Sequence, residues 1–343
     1  MFLDHKLKKA VMAGLSALFV AAGSGTGANA QEELRFVTSV PAQSFIYADI
    51  LDVWAKRVVE DSKGTLNIRL FPVGTLGRDP ATHLDMVRQG IADIAYFIPG
   101  YTPGAMGEAT IMELPGLIPS SVAGSKAGTE MVEEGLWRGQ GMESVKILGM
   151  FSTAPALLTT KEKVETLEDI KGKKLRGAGP VLLSTIEAIG ATPVGGITSP
   201  QIAEALSRGL VDGTVNEWVA LTIFGVADAA KYHLNINLGT SPLMVAINRA
   251  KYDSLPEEAR AAIDKHWGEE FAELWGKEFD KRIEAFRSKA MQESDRTFTD
   301  LSAEEKARWD ERLQTVIDAW IANTPNGQEL YDRFTQALET SSN

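Results

Sequence analysis

Predicted strands alternate with amphipathic helices along the chain, and this alternation limits the possible folds more than any other feature. The first predicted strand covers residues 34–38, and the helix after it repeats apolar residues at i, i+4 spacing. Residues 66–71 alternate polar and apolar residues as a strand does, and a helix at 80–89 leads to a buried strand at 91–98. This order predicts a parallel α/β sheet.

The order recurs after about residue 145, and one segment is similar in both halves. Residues 86–93 (MVRQGIAD) and 205–212 (ALSRGLVD) each contain a helix end, a glycine and a hydrophobic-x-Asp sequence that begins a strand. The glycine fits a helix C-cap that requires positive φ. A duplicated unit would give two α/β lobes with a cleft between them, where ligands bind beyond the carboxyl ends of strands. The alternative is a general helix-to-strand connection that occurs twice.

Residues 256–295 differ from the rest of the chain. Aromatic and aliphatic residues recur there at helical spacing, and glycine occurs only at Gly268 and Gly276. The pattern predicts one long helix or two abutting helices, about 60 Å in length if unbroken. Because this exceeds the width of one lobe, the helix is expected to span both lobes with its aromatic stripe in the core.

The first thirty residues have the features of a secretory signal peptide. Lys6, Lys8 and Lys9 precede an apolar stretch at residues 10–23, and Ala28-Asn29-Ala30 forms a small-x-small cleavage site. The apolar stretch is shorter than the roughly 20 residues of a membrane-spanning helix. We therefore predict an exported mature chain that is not inserted stably in a membrane; the alternative is an uncleaved anchor.

Composition excludes several classes of function. The chain has no cysteine, which rules out disulfides, a thiol nucleophile, a cysteine-ligated metal and a lipid-modified N-terminal cysteine. Its net charge of −11, without a basic block, disfavours binding to nucleic acid or anionic membranes. An exported chain with neither cysteine nor lipid anchor must be retained in a compartment, which favours the periplasm of a Gram-negative bacterium.

No enzyme motif is evident. His83, His233 and His266 are well separated, and the sequence contains no H-E-x-x-H, no G-x-S-x-G and no complete phosphate-binding glycine loop. We therefore predict a protein that is not an enzyme and that binds no metal and no cofactor. The alternative is a periplasmic lyase or isomerase, for which only Glu217 and His233 suggest an acid–base pair.

One residue is well placed to bind an anion. Arg176 ends a predicted strand and leads into Gly177-Ala178-Gly179-Pro180, where small residues leave room for a ligand. A guanidinium can hold a carboxylate through two parallel hydrogen bonds, which lysine cannot do. A surface arginine without a binding role is the alternative.

The order of motifs resembles that of the periplasmic solute-binding proteins of tripartite ATP-independent periplasmic (TRAP) transporters, the dicarboxylate-binding-protein-like DctP family. The resemblance covers roughly residues 34–340. The matching landmarks, in chain order, are FPVGTLGRD (71–79), GIAD (90–93), ELPGL (113–117), LEDIKGKKLR (167–176), AL and GLVDG (205–213), and LMVAIN (243–248) with Leu255-Pro256.

The resemblance implies a two-lobed periplasmic-binding-protein fold of α/β lobes that close on a ligand in a central cleft. Lobe I would comprise residues 31–152 and about 240–285, and lobe II residues 153–239 and about 286–343, with the helix at 256–295 spanning both. Arg176 would pair with the carboxylate of the solute, and Asn216 would also face the ligand. The protein would deliver an organic acid to the small and large TRAP membrane subunits.

The chain departs from the family pattern in ways that concern the ligand. The strand that contains Phe151 and Thr153 lacks the second arginine of some relatives, and Glu217 follows Asn216 where proline is frequent. Residues 96–99 are apolar where sialate-binding members carry an acid. The cleft is therefore expected to have one cation and an apolar or aromatic wall. Candidate wall residues are Phe45, Phe97, Tyr101, Phe151, Trp218 and Phe224, with Thr153 as a further contact.

One cation beside an aromatic wall favours a monocarboxylate that carries an apolar, aromatic or keto group. A second carboxylate in a closed cleft would lack a fixed cation, which is energetically costly. A C4-dicarboxylate is the runner-up ligand. A ligand-sensing subunit that presents its closed form to a receptor is a further alternative function.

Overall fold

The structure is a computed structural model that describes residues 31–102, 104–105, 107–137 and 142–341. The predicted signal peptide at residues 1–30 lies outside the described residues. Among the helices that the structure describes, none combines the length and the apolar character needed to cross a membrane.

The described residues form two sheets with helices on both faces of each. The strands are β1 (Glu32–Val37), β2 (Leu66–Phe71), β3 (Ile94–Phe97), β4 (Val145–Ser152), β5 (Leu157–Thr160), β6 (Lys174–Arg176), β7 (Thr192–Val194), β8 (Gly213–Asn216), β9 (Tyr232–Leu234), β10 (Pro242–Asn248) and β11 (Thr297–Thr299). The α-helices are α1 (Asp52–Asp61), α2 (His83–Arg88), α3 (Ser121–Glu133), α4 (Leu167–Ile170), α5 (Pro180–Ala188), α6 (Ile202–Ser207), α7 (Trp218–Ile223), α8 (Val226–Ala229), α9 (Arg249–Ser254), α10 (Glu257–Lys265), α11 (Glu269–Ala290), α12 (Ala303–Asn323) and α13 (Gly327–Ser341). Short 3-10 helices cover Pro80–Thr82, Pro99–Tyr101, Gly107–Glu113, Met142–Ser144 and Ser199–Gln201, and a π-helical segment covers Ile46–Leu51.

The first sheet has the strand order β2-β1-β3-β10-β4, and the second has the order β11-β9-β5-β8-β6-β7. β1 pairs in parallel with β2 and β3, as the sequence predicts, whereas β10 lies antiparallel to both β3 and β4. β5 is likewise antiparallel to β8 and β9. The parallel pairing predicted for the α/β units is present, but both sheets are mixed. In the first sheet this is because the chain leaves it, builds the second sheet and returns from the opposite direction.

Two crossing segments join the sheets. Residues 153–156 lead from β4 to β5, and residues 235–241 lead back from β9 to β10. They are hydrogen bonded to each other: Thr153 N–H donates to the Ser241 carbonyl (3.1 Å), and Ala156 N–H donates to the Gly239 carbonyl (2.8 Å). Short connecting segments of this kind are where hinge motions of lobes generally occur.

The two similar segments have the same local structure. Gly90 follows α2 with φ +71°, and Gly209 follows α6 with φ +69°. The Asp93 carboxylate accepts a hydrogen bond from the backbone N–H of Arg35 in β1 (2.7 Å), and that of Asp212 accepts one from Lys174 in β6 (2.8 Å). In both lobes the aspartate thus fixes the neighbouring parallel strand.

Of the two alternatives predicted for residues 256–295, one long helix or two abutting helices, the structure has two helices. α10 ends at Lys265, and α11 begins at Glu269 after Gly268, whose φ of +74° and ψ of −139° interrupt the helix. α11 contacts the cores of both lobes. Its Trp275 and Phe279 pack with residues of the first sheet, and Ala290 packs with residues of the second.

The C-terminal helices do not stay on the second sheet as predicted for residues 286–343. Trp309 and Leu313 of α12 pack in the core of the second sheet, whereas Trp320 belongs to the core of the first sheet. Phe334 and Leu338 of α13 also pack there, because α13 lies against α3. The other predicted lobe boundaries stay a prediction.

Replacing Gly268 with alanine should destabilise the protein by about 1–3 kcal/mol, because few residues other than glycine adopt its backbone conformation. An added Cβ would also lie 2.6 Å from Oε1 of Glu133. Gly64→Ala is the matched control, because Gly64 has φ +85° with no atom within 4 Å of the added Cβ. Urea unfolding should show the larger loss for Gly268→Ala; equal losses would mean that the Glu133 contact contributes nothing.

Candidate functional site

A cavity lies between the two lobes and encloses about 620 Å³ of atom-free space, part of it open to solvent. Tyr96 of β3 lines it from the first lobe, and Asn216, at the carboxyl end of β8, lines it from the second. Thr153 and Ser241 of the crossing segments also line it. Its position beyond the strand ends, at the junction of two lobes, is typical of ligand sites in α/β proteins.

Arg176 ends β6 behind the wall of this cavity and is fully buried. Its Nε donates to the Ile197 carbonyl (2.9 Å), one terminal nitrogen donates to Oδ1 of Asn216 (3.3 Å), and the other donates to the Tyr101 hydroxyl (3.1 Å). Asn216 and Tyr101 line the cavity, so the guanidinium is one hydrogen bond away from it. Three of its five N–H groups are used, which leaves one on each terminal nitrogen.

The Arg176 charge is not balanced by an ion pair. No carboxylate of the described residues forms a salt bridge with it within 4.0 Å. A buried unpaired cation is costly unless an anion joins it. The arrangement is therefore suited to an anionic ligand.

Tyr101 connects the two lobes at the mouth of the cavity. Its hydroxyl accepts from the backbone N–H of Ser199 (2.9 Å), lies 2.8 Å from the Ser199 hydroxyl and also accepts from Arg176. The neighbouring Gly100 lies so close to the second lobe that an added Cβ would be 3.0 Å from the Ala178 carbonyl oxygen. The segment 100–101 of lobe I thus directly contacts the end of lobe II that carries Arg176.

Glu113 makes a second contact across the lobes. It ends the 3-10 helix Gly107–Glu113, which packs in the first lobe, and its Oε2 accepts from the backbone N–H groups of Val181 (2.8 Å) and Leu182 (3.3 Å) in α5. Its Oε1 has no hydrogen-bond partner among the described residues. Burial raises the pKa of Glu113 to about 7, although the two N–H donors and the charge of Arg176 act in the opposite direction.

Glu217 and His233, the acid–base pair of the alternative enzyme hypothesis, are not hydrogen bonded to each other among the described residues. Glu217 lines the cavity, but its carboxylate accepts from the backbone of Val219 and Ala220. His233 bonds instead to the Thr159 hydroxyl (3.0 Å), and in the described part of the chain no hydrogen bond joins it to Glu217. Burial lowers the pKa of His233 to about 4, so it is neutral at physiological pH.

The structure brings some of the predicted site residues together and separates others. Tyr101, Thr153, Asn216 and Phe224 line the cavity, and Arg176 is bonded to two of them. Four predicted wall residues do not line it. Phe45 packs on Phe279 and Phe286, and Phe97 lies in the core of the first lobe. Phe151 stacks on Trp275, and Trp218 packs on His233 and Phe298.

The correction for Phe97 follows from strand geometry, whereas Phe45, Phe151 and Trp218 pack in aromatic clusters instead. Successive side chains of a strand point to opposite faces, so that Tyr96 faces the cavity while its neighbour Phe97 faces the helices behind. The aromatic residues of the wall are Tyr96, Tyr101, Phe224 and Phe279, of which sequence reasoning missed the first and the last as wall residues. All four residues of β3 are buried and apolar or aromatic, so the sequence offers no alternation from which to assign the faces.

The fold and the site define a class of protein. Two α/β lobes, two hydrogen-bonded crossing segments and an interlobe cavity beside an unpaired buried cation are the construction of a ligand-capturing binding protein. Residues 36–324 match the model of the family "bacterial extracellular solute-binding protein, family 7" (DctP), and the chain belongs to this family. The predicted family of TRAP solute-binding proteins and the predicted fold class are confirmed.

Three relatives are informative about ligands. A crystallised marine metagenome TRAP solute-binding protein from an unidentified microbe, specific for aromatic acid ligands and in complex with metahydroxyphenylacetate, is 29% identical, with a TM-score of 0.84 over 91% of this chain and 100% of that one. A TRAP solute-binding protein from Rhodoferax ferrireducens, with copurified benzoate, is 26% identical, with a TM-score of 0.83 over 91% of this chain and 99% of that one. The ectoine/5-hydroxyectoine-binding periplasmic protein UehA of Ruegeria pomeroyi is 28% identical over 66% of this chain and 70% of its own.

Proposed function

We propose that this protein captures an organic acid, with an aromatic monocarboxylate as the foremost candidate, in the periplasm of a Gram-negative bacterium and delivers it to TRAP membrane subunits. The observation that carries the proposal is the buried Arg176, which has no carboxylate partner and lies one hydrogen bond from the interlobe cavity. The two relatives that bind aromatic acids and cover over nine-tenths of this chain support the ligand class.

The mechanism follows from the hydrogen-bond capacity of the site. The ligand carboxylate would take the two free N–H groups of Arg176 as a bidentate pair, and Asn216 would add a hydrogen bond from its amide N–H₂. Closure of the lobes would exclude water and strengthen these charged hydrogen bonds. Tyr101 of the first lobe would link ligand binding to closure, because its hydroxyl is hydrogen bonded to Arg176 and Ser199 of the second lobe.

The chemistry of the cavity wall favours one carboxylate over two. Arginine and lysine are absent from the described residues that line the cavity, whereas most of the lining side chains are apolar. A C4-dicarboxylate would bring a second negative charge into an apolar wall that also contains Glu217. The desolvation of that charge would be uncompensated.

A thermal-shift screen of the purified protein tests the proposal. Benzoate or phenylacetate at 100 times its dissociation constant should add about 2.7 kcal/mol of stability, which corresponds to several degrees. Benzamide is the matched control, because it keeps the ring and lacks the charge. Succinate, malate, branched and keto acids, and ectoine complete the panel.

The outcomes separate the candidates. Stabilisation by aromatic acids but not by benzamide is expected. Stabilisation by dicarboxylates alone would overturn the single-anchor mechanism, and stabilisation by ectoine alone would indicate a zwitterionic ligand. If no acid stabilises the protein after unfolding, dialysis and refolding to remove any copurified ligand, the proposed function is wrong.

A further inference from the structure

Glu217 is a buried acid in the cavity that the carboxylate-binding mechanism does not use. It follows Asn216 directly, is 4% exposed and lines the cavity. Its carboxyl group is held in place by hydrogen bonds that it accepts from the backbone N–H groups of Val219 and Ala220. The distance from Ala220 N to Oε1 is 3.0 Å. The side chain is therefore a fixed polar group in a wall that is otherwise mainly apolar.

No cation neutralises this acid. Within the part of the chain that the structure describes, no lysine, arginine or histidine forms a salt bridge with Glu217. Burial raises its pKa to about 8, and the two N–H donors only partly oppose this rise. The group is therefore protonated in a large fraction of molecules near neutral pH, when the cavity is empty.

Tyr96 lies near the same acid from the other lobe. It also lines the cavity and is 3% exposed. Burial is the main cause that raises the pKa of the Tyr96 hydroxyl, so this group stays protonated and can donate. The wall thus has two kinds of polar group: Asn216, with Arg176 bonded behind it, which suits an anion, and Glu217 with Tyr96, which suits a neutral polar substituent.

A hydroxyl is the ligand group that suits this pair. A protonated carboxyl donates one hydrogen bond and a carboxylate only accepts, whereas a hydroxyl both donates and accepts. A hydroxyl can therefore bind Glu217 in either protonation state. A ligand cation would require the ionised form, and a keto oxygen would require the protonated form.

We propose that Glu217, together with Tyr96, recognises a hydroxyl group on the apolar body of the bound acid, so that the protein selects hydroxylated over unsubstituted aromatic acids. This inference rests on the proposed function. It adds a specificity-determining residue that lies outside the carboxylate-binding group of Arg176 and Asn216.

The test measures the ratio of dissociation constants for benzoate and 3-hydroxybenzoate, and for phenylacetate and 3-hydroxyphenylacetate, by titration calorimetry. The wild-type protein should bind one hydroxylated acid at least about tenfold more tightly than its unsubstituted counterpart, the effect of one buried hydrogen bond that is otherwise left unmade. In Glu217→Ser this ratio should fall to about one. Serine retains a hydroxyl that can accept from the first turn of α7 but is too short to reach the ligand.

Two further variants make the test specific. Glu217→Gln keeps the length and the hydrogen-bond capacity, so it should retain most of the selectivity. Glu204→Ser removes an exposed glutamate of the same lobe that pairs with Arg208, and it should leave the ratio as in wild type.

Three results would overturn the inference. Equal wild-type affinities for both members of each pair would overturn the inference and leave the proposed function intact. A selectivity that survives in Glu217→Ser would have the same two consequences. Failure of the wild-type protein to bind any of the four acids would overturn the inference together with the aromatic ligand class on which it rests, and the wider panel of acids would then decide the proposed function.

Discussion

Replacing Arg176 with alanine should weaken binding of the acid by a factor between about 30 and several thousand, the usual result of about 2–5 kcal/mol for truncating one partner of a buried charge pair. The ligand carboxylate would keep its desolvation cost and lose the cation that offsets it. Titration calorimetry with the best acid of the screen measures the loss directly.

Two comparisons make this result interpretable. Arg176→Lys keeps the charge and loses the planar fork, so its affinity should lie between those of wild type and Arg176→Ala. Arg208→Ala removes an exposed arginine of the same lobe and changes the net charge equally, so it should leave affinity within a few-fold of wild type. An Arg176→Ala protein that is folded by circular dichroism and binds within a few-fold of wild type would contradict the assignment.

The sequence could place Arg176 and Asn216 at neighbouring strand ends because the determinants of those strand ends are local. Arg176 ends a strand that runs into a glycine-containing loop, and Asn216 ends the neighbouring strand three residues after Gly213. Parallel neighbours in a sheet place such strand ends side by side, and β6 does pair in parallel with β8. The carboxylate-binding role itself came from the family resemblance and stays a prediction.

The rest of the wall depends on contacts between residues that are distant in the chain. Tyr96 and Phe97 are adjacent aromatic residues of the same strand. Only the packing of the first lobe decides which of the two faces the cavity. Phe279 reaches the cavity because α11 lies across the lobes, and no local pattern reveals that. Glu113 was visible only as part of the ELPGL landmark, because its partners in α5 lie 68 and 69 residues away.

Replacing Gly179 with alanine should break the contact between Glu113 and α5. Gly179 has φ −136° and ψ 177°, an extended conformation open to any residue, so its backbone does not require glycine. The available space does require glycine, because an added Cβ would lie 1.7 Å from Oε1 of Glu113 and 2.5 Å from its Cδ. Glu113 is 1% exposed and is held by two backbone donors, so it cannot move aside freely.

We expect a loss of at least about 1–3 kcal/mol in the free energy of unfolding, the usual cost of overpacking a buried site. We also expect roughly tenfold weaker ligand binding, because α5 begins directly after the loop that follows Arg176 and its displacement moves the wall at Ala178. Gly177→Ala is the matched control: its added Cβ would lie 3.1 Å from the side-chain ends of Ile186 and Leu183, which can move, and 3.3 Å from the backbone nitrogen of Leu183, a milder contact than the 1.7 Å overlap at Gly179. Gly177→Ala should lower the free energy of unfolding and the ligand affinity by less than Gly179→Ala does.

A double-mutant cycle shows whether the steric conflict with Glu113 is the cause. Glu113→Ala alone leaves two buried N–H groups of α5 without their acceptor and should itself destabilise the protein. Adding Gly179→Ala to that background should cost little further stability, because the atoms that its Cβ would overlap are gone. Additive losses in urea unfolding would mean that Gly179 is required for another reason. A strong coupling would establish that the contact between lobe I and α5 depends on one buried carboxylate fitted against one glycine.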